Sequence, residues 1–503
     1  MKKQNYLTYL LLVIGIVLLL NILSSKFFLR LDFTEDQRYT LSKATKEILK
    51  NLKEPITITA YFSENVHQQI TKTRHDFKEM LVEYATRSNG MIKYEFVNPD
   101  TDEKEKKAQA DGIQPMLINV TEKDQVKQQK AYLGVKVMLG ESESDIIPFM
   151  QLDAMEYALT TSIKKISAVD KPVIGLLQGH NEAAPGALAQ VLQQLEILYV
   201  VEPITLSDTT DVLSKFSTVA IISPKDTFPS SHLQQIDKFL ANGGKLFLAI
   251  NPVTGNLQNA SGVESFTGIE QMLKTKGISI ESGFVIDASC GSVAVRQQMG
   301  PFPVNTQMQF PFLPIVSNFA DHATTKGLES VLLQFPTSIN FSGNGLKFTP
   351  LIKTSDQSGE LPAPLYFDIQ KQWTEADFPL KNITVAAIIE GKFAPTAVKE
   401  GKLIIITDGE FAVNSEQNQP LPVDNVNFVV NSLDWMTDDS GLSELRTKGV
   451  TSRPLDEMSD GKKTFLKYLN FFLPLLLVVA YGVLRWQRNK IVRIKRQNPN
   501  YIG

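Results

Sequence analysis

Three short clusters in the 503-residue chain hold residue types capable of acid–base or ligand-binding chemistry: Gly179-His180-Asn181-Glu182, Asn251-Pro252 and Asp408-Gly409-Glu410-Phe411. His180, Glu182, Asp408 and Glu410 can titrate, and the Asn251 amide both donates and accepts hydrogen bonds. Each cluster follows a short apolar run, a position where ligands collect in open α/β sheets. The same loops also turn the chain and cap the next helix, which by itself favours glycine and short polar side chains. Two readings stand together: a ligand crevice built from His180, Glu182, Asn251, Asp408 and Glu410, or plain turn chemistry. No residue is assigned a catalytic role. A hydrolase or amidotransferase-like enzyme working through His180 and Asp408 is the alternative.

Other chemistries find less support. Five histidines occur, at positions 67, 75, 180, 232 and 322, without a His-Glu-x-x-His pair, so zincin chemistry is excluded and no metal site is expected. His67 and His75 lie eight apart on an expected exposed helix and read as surface residues. The single cysteine, Cys290, forbids an internal disulfide, a Cys-based zinc cage and a Cys-x-x-Cys redox pair. Its surroundings lack a strand-to-helix turn, so it reads as a buried bystander. There is no Gly-x-x-x-x-Gly-Lys-Ser/Thr, and Gly243-Gly244-Lys245 opens a strand instead of a helix. ATP hydrolysis by that route is excluded, and no cofactor is expected.

The elements that would carry these residues follow from apolar periodicity. From Pro172 onward, short continuous apolar runs at 173–177, 218–223 and 245–250 alternate with helical patterns at 187–198 and 232–240, the rhythm of buried parallel strands. Runs at 383–389 and 403–407 resume the sheet, and a helix over 423–436 follows. On that helix Asn427, Asn431 and Asp434 form a polar stripe opposite Val426, Val429, Val430 and Leu433, which reads as a solvent face. The segment 290–365, rich in Pro, Gly, Gln and Asn, reads as an insertion without assigned structure. Upstream, strands at 56–63, 91–97, 116–120, 130–138 and 146–150 alternate with helices, the last three strands containing a hairpin. The order β-α-β-α-β-β-α is thioredoxin-like, without that fold's redox cysteines. The expected fold class is therefore α/β: a thioredoxin-like module at 31–170, then a doubly wound, flavodoxin- or amidotransferase-like parallel-sheet domain at 171–445.

Residues 7–23 are almost wholly apolar and 468–484 are free of charge, each long enough to span roughly 30 Å of hydrocarbon. Two transmembrane helices are expected to flank the body, an uncleaved anchor within 1–30 and a second span at 464–486 after a linker at 446–463. Arg485, Arg488, Lys490, Arg493, Lys495 and Arg496 crowd the tail at 487–503 and its approach, which places that end on the cytoplasmic side. With two spans both termini are cytoplasmic and the bulk is periplasmic, in the inner membrane. The net charge of −3 includes these cations, so the body between the spans is acidic and nucleic acid is not an expected partner.

Leu31-Asp32-Phe33-Thr34 through Arg38-Tyr39-Thr40-Leu41-Ser42, the Gly179-His180-x-Glu182 turn, the Gly243-Gly244 strand ending in Asn251-Pro252, and Asp408-Gly409-Glu410-Phe411 together resemble the auxiliary proteins of ABC-type uncharacterised transport systems. The stretch from Asn431-Ser432-Leu433-Asp434-Trp435-Met436 to Lys448, with Arg453-Pro454-Leu455, is similar to the gliding-motility-associated GldG branch of that group. The resemblance implies a non-catalytic, membrane-anchored extracytoplasmic subunit whose partners are an ABC ATPase subunit and a polytopic permease subunit. It carries over no catalytic residue. A cell-envelope scaffold that binds another protein through residues 45–165 is a further reading.

Overall fold

The structure, a computed structural model, describes residues 40–64, 68–122, 125–140, 143–148, 155–167, 171–299, 302–343, 345–414, 420–437 and 460–496, with Leu12, Val13 and Gly15. Apart from those three helical residues, the expected anchor at 1–30 lies outside the described residues, as do most of the 446–463 linker and the end of the tail. Chain contacts divide the protein into a body, Met1–Thr451, and a C-terminal unit, Ser452–Gly503.

The N-terminal part of the body contains α1 (Lys43–Lys50), β1 (Ile56–Phe62), α2 (Gln68–Arg87), β2 (Ile92–Val97), α3 (Asp102–Ala110), β3 (Met116–Glu122), β4 (Gln125–Ala131), β5 (Leu133–Leu139), β6 (Glu143–Ile147) and α4 (Met155–Ser167). Ser42 caps α1, its hydroxyl accepting the Thr45 N–H. Strand order in the sheet is β2-β1-β5-β6, with β1 parallel to β2 and antiparallel to β5. The expected strand at 130–138 is in fact two. Tyr132 separates β4, which folds back on β3, from β5, which pairs with β6, so two hairpins stand where the sequence suggested one.

The larger sheet has eight strands: β7 (Val173–Gln178), β8 (Val200–Thr205), β9 (Thr218–Ile222), β10 (Lys245–Ala249), β11 (Asn318–Phe319), β12 (Leu346–Lys353), β13 (Thr384–Gly391) and β14 (Gly401–Ile406). Their spatial order is β11-β12-β13-β14-β10-β9-β7-β8. Strands β14, β10, β9, β7 and β8 run parallel, while β13, β12 and β11 continue the sheet antiparallel. The sheet is therefore mixed, a correction to the expected parallel-sheet domain. Successive side chains point to opposite faces, and both faces are covered, which is why the strands read as unbroken apolar runs. Ala220, Ile222, Phe247, Ala249, Ile404 and Ile406 join one core with α5 (Ala189–Leu195) and α8 (Val423–Thr437). Val219, Ile221, Leu246, Leu248, Leu403 and Ile405 join the other with α6 (Ser230–Ala241) and α7 (Ile269–Lys274). Truncating the fully buried Phe247 to Ala would cost about 3–5 kcal/mol. Edge strand β8 escaped the sequence reading because Glu202 and Pro203 break its apolar pattern; Pro203 sits opposite Leu176 with no second neighbour needing its N–H.

The unassigned 290–365 segment is β-structured. Strands Cys290–Met299 and Phe302–Val316 form a long hairpin, and the segment supplies β11 and β12 to the main sheet. Phe310, Phe312 and Phe335 from this segment pack with Phe284 and Phe367 in a separate aromatic core. Cys290 is half-buried at the start of its strand, and burial pushes its thiol pKa up, the opposite of nucleophile activation.

Helix α8 corrects another expectation. Asn431 and Asp434 are buried, not solvent-facing, and Asn425 beside them is buried too. The Asn425 amide donates to the Leu332 and Phe411 carbonyls at 2.8 and 2.7 Å and accepts the Leu332 N–H at 3.1 Å. Polar side chains on this helix satisfy backbone groups of the inserted segment, 93 positions earlier at Leu332, which buried carbonyls require.

In the C-terminal unit, helix α9 (Asp460–Arg496) runs 37 residues and includes Pro474. Gly461–Ile494 is long and apolar enough to cross a membrane, the one such helix among the described residues, and its apolar side chains are exposed. It contains the span expected at 464–486.

Candidate functional site

The ends of β7, β9, β10 and β14 lie side by side, so their loops form one ledge at the carboxyl edge of the parallel strands. After β7 the chain reverses through Gly179, at φ 115, and Asn181, at φ 59. Only glycine adopts the first of these without strain, and asparagine tolerates the second better than most residues. The reversal buries His180 and Glu182. Glu182 Oε2 accepts the His180 N–H at 2.6 Å, and Oε1 lies 3.1 Å from the ring Nδ1. Burial alone would raise the Glu182 pKa, but these hydrogen bonds outweigh it and hold the carboxyl below its ordinary range.

The other His180 nitrogen, Nε2, lies 2.8 Å from His232 Nδ1 on α6, and His232 Nε2 lies 3.4 Å from the exposed Asp208. The His180 ring stacks on Phe228 with centroids 3.7 Å apart. A line of four groups, Glu182–His180–His232–Asp208, therefore runs from the interior to the surface. His232 was missed in the sequence because nothing marks a first-turn helical histidine as the partner of a residue 52 positions away.

The second and third clusters meet directly. Asn251 Oδ1 accepts the Gly409 N–H at 2.6 Å, and its Nδ2 faces Ser223 Oγ at 3.4 Å. A Cβ on Gly409 would stand 2.8 Å from Ser223 Cα and 3.1 Å from the Ala249 carbonyl, so the close approach of three strand ends requires glycine there. Asp408 is fully buried; its two oxygens accept the Gln334 N–H at 2.6 Å and the Glu410 N–H at 2.8 Å. Desolvation dominates these bonds and pushes its pKa up to about 7. Glu410 is exposed and pairs with Lys225 at 3.0 Å. The Lys225 and Asp226 N–H groups both donate to the His180 carbonyl at 3.0 Å, which ties the first cluster to the other two.

All five expected residues thus belong to one connected network, in unequal positions. A cleft of about 570 Å³ is lined by Asn251, Asp408 and Glu410 together with Lys225, Thr254, Gln258 and Gln334. His180 and Glu182 do not line it; they brace the loop that carries Lys225. Sequence reasoning missed Lys225 and Gln334, which no local motif distinguishes. Phe335, which lines the cleft, and Ser223, next in sequence to the lining residue Pro224, hold φ values of 53 and 54, an outlier for a bulky aromatic and an uncommon region for serine. Such strain concentrates at ligand sites. Among the described residues no three of His, Cys, Asp or Glu converge as a metal cage, and His75 is exposed on α2 while His67 lies outside those residues.

Comparison with known proteins adds family context. A family model described as "ABC-type uncharacterized transport system" matches residues 171–432, and a domain of unknown function matches 35–138. A protein of Borreliella burgdorferi, itself described as uncharacterized, is 20% identical over 512 residues, covering 97% of this chain and 99% of the relative. Among solved structures, the mmIFT52 N-terminal domain aligns at 12% identity and a TM-score of 0.36 over 53% of this chain and 98% of that domain. A thua-like protein from Parabacteroides merdae aligns at 12% identity and a TM-score of 0.28 over 58% and 94% of the two chains.

Proposed function

The chain belongs to the ABC-type uncharacterized transport system family, whose model spans 171–432, and from that premise we propose a non-catalytic, membrane-anchored subunit working with a separate ABC ATPase and a polytopic permease. Helix α9 is the observation that carries the anchoring: its exposed apolar surface suits lipid, and its last turns, Arg485 to Arg496, are basic. In this reading residues 1–30 form a second anchor, both termini are cytoplasmic and the body is periplasmic. The N-terminal module at 31–170 is thioredoxin-like, supported by its β2-β1-β5-β6 order, and the sheet domain occupies 171–445. Similarity of the terminal motifs supports a place in the gliding-motility branch. The strand-end network of His180, Glu182, Asn251, Asp408 and Glu410 serves ligand sensing, with His180 and Glu182 as bracing groups and the cleft as the binding surface.

Two observations favour this over an enzyme. His180 is committed to Glu182 and His232 away from the cleft, and both Asp408 oxygens are committed to backbone N–H groups. Purifying the full chain in mild detergent tests the assignment: an ATPase and a permease subunit co-purify, and their consistent absence refutes it. A scaffold role for the N-terminal module draws on a separate observation, the outer edges of β2 and β6, each paired on one side only among the described residues. Capture of an envelope protein that is lost on deleting the module would support that role.

A further inference from the structure

The accessible lining of the 570 Å³ cleft has a definite chemistry. One wall is the hairpin of strands Val253–Asn256 and Ser261–Glu264, which presents Thr254, Asn256 and Gln258, all exposed. Gln334, exposed, and Ser265, half-buried, add another amide and another hydroxyl. Every one of these groups is uncharged and both donates and accepts hydrogen bonds. The two accessible charges, Lys225 and Glu410, neutralise each other at 3.0 Å. Asp408 is sealed from solvent, with its oxygens on backbone donors. A charged ligand would meet no unpaired counter-charge, and a purely apolar ligand would leave the Thr254 and Ser265 hydroxyls and the Gln258 and Gln334 amides unsatisfied, Asn256 Oδ1 already accepting the Gln258 and Asn259 N–H groups. Hydroxyl groups, each donor and acceptor at once, match amide and hydroxyl side chains one for one. Leu257, 45% exposed, offers an apolar contact for C–H faces. The volume lies within the range of small-ligand sites. The floor is held by Asn251 on Gly409 and by Asp408 on Gln334, so the polar groups are presented on a fixed frame.

We propose that this cleft binds an uncharged, polyhydroxylated ligand of the saccharide class. The proposal rests on the reading of the strand-end cleft as a ligand site and adds the chemistry of its occupant. Saturation-transfer NMR on the full chain tests it, with the protein in lauryldimethylamine oxide, a detergent that has no sugar headgroup. Maltose, cellobiose and N,N′-diacetylchitobiose serve as neutral probes, and glucuronate and glycylglycine as charged ones. At least one disaccharide gives saturable binding at about 1 mM, and the charged probes bind at least about tenfold more weakly. The Gln258→Ala/Gln334→Ala double variant, which removes two exposed amides, weakens that binding about tenfold with an unchanged melting temperature. No disaccharide binding up to about 10 mM, tighter binding of a charged probe, or undiminished binding in the double variant overturns the proposal. Co-purification of ATPase and permease does not depend on these amides. A chain that keeps those partners but ignores all three sugars loses the ligand class alone, and the accessory assignment stands.

Discussion

Replacing Asp408 by asparagine gives a stability curve whose dependence on pH, more than its height, reports the environment of this carboxyl. Burial raises the folded-state pKa from an ordinary 3.8 to about 7, so between those values the folded chain keeps a proton that the unfolded chain releases. Stability attributable to this group is greatest below about pH 4, declines as pH rises, and levels off above about pH 7. At about 1.36 kcal/mol per pKa unit the full decline is on the order of 4 kcal/mol, and the part between pH 5 and pH 8 is about 3 kcal/mol. The introduced asparagine does not titrate, so that decline vanishes from the variant. Its single carbonyl oxygen keeps one of the two backbone N–H groups now held by Asp408, while the amide NH₂ confronts the other, a loss of about 1–3 kcal/mol. The variant is thus less stable than the parent at pH 5, and the gap narrows or reverses by pH 8. Urea unfolding of both full chains in the same detergent, at several pH values from 5 to 8.5, measures the difference directly. Parallel curves for parent and variant would refute the reasoning, since they would mean that Asp408 ionises as an ordinary surface carboxyl does.

Further substitutions probe the rest of the ledge. Glu182, held below its ordinary range, contributes stability that is present above pH 4.5 and lost as pH falls through its folded pKa; Glu182→Gln removes that acid-side decline, read by thermal melts from pH 3 to 6. Gly409→Ala forces a Cβ against Ser223 Cα and costs about 1–3 kcal/mol in urea unfolding, whereas an unchanged midpoint would show that the strand ends have room to part. Asn425→Ala leaves the Leu332 N–H and the Leu332 and Phe411 carbonyls without their side-chain partner, costing about 2–4 kcal/mol, with faster amide exchange at Leu332 as the local readout.

Much of this architecture is legible in the sequence where local pattern and final environment agree. Strands β7, β9, β10 and β14 are apolar at successive positions because both faces of the sheet are covered, and the three polar clusters mark their ends. Legibility fails where a residue answers to something distant. Asn431, with Asn427 and Asp434, looks like a wet helix face because amides and carboxylates usually seek water; here Asn431 donates to the Thr324 carbonyl of the inserted segment, as the nearby Asn425 does to that of Leu332. His232 joins His180 across 52 positions, and Gln334 reaches Asp408 across 74. The insertion itself reads as featureless because its strands alternate with Pro, Gly and Asn. Its aromatic core is assembled from Phe284, Phe310, Phe312, Phe335 and Phe367, which no sequence window contains together.

Pro203 also bears on how the protein coexists with copies of itself. The parallel half of the main sheet ends at β8, and the opposite end is the two-residue strand β11. An open edge with a full row of free N–H and C=O groups templates strand addition by another chain. Pro203 removes a donor from that row, Glu202 adds an exposed charge beside it, and β11 is too short to offer a template. Both ends of an eight-stranded apolar sheet are therefore poor seeds for fibril growth. That protection is built into the strands themselves, through one proline, one exposed carboxylate and the shortness of β11.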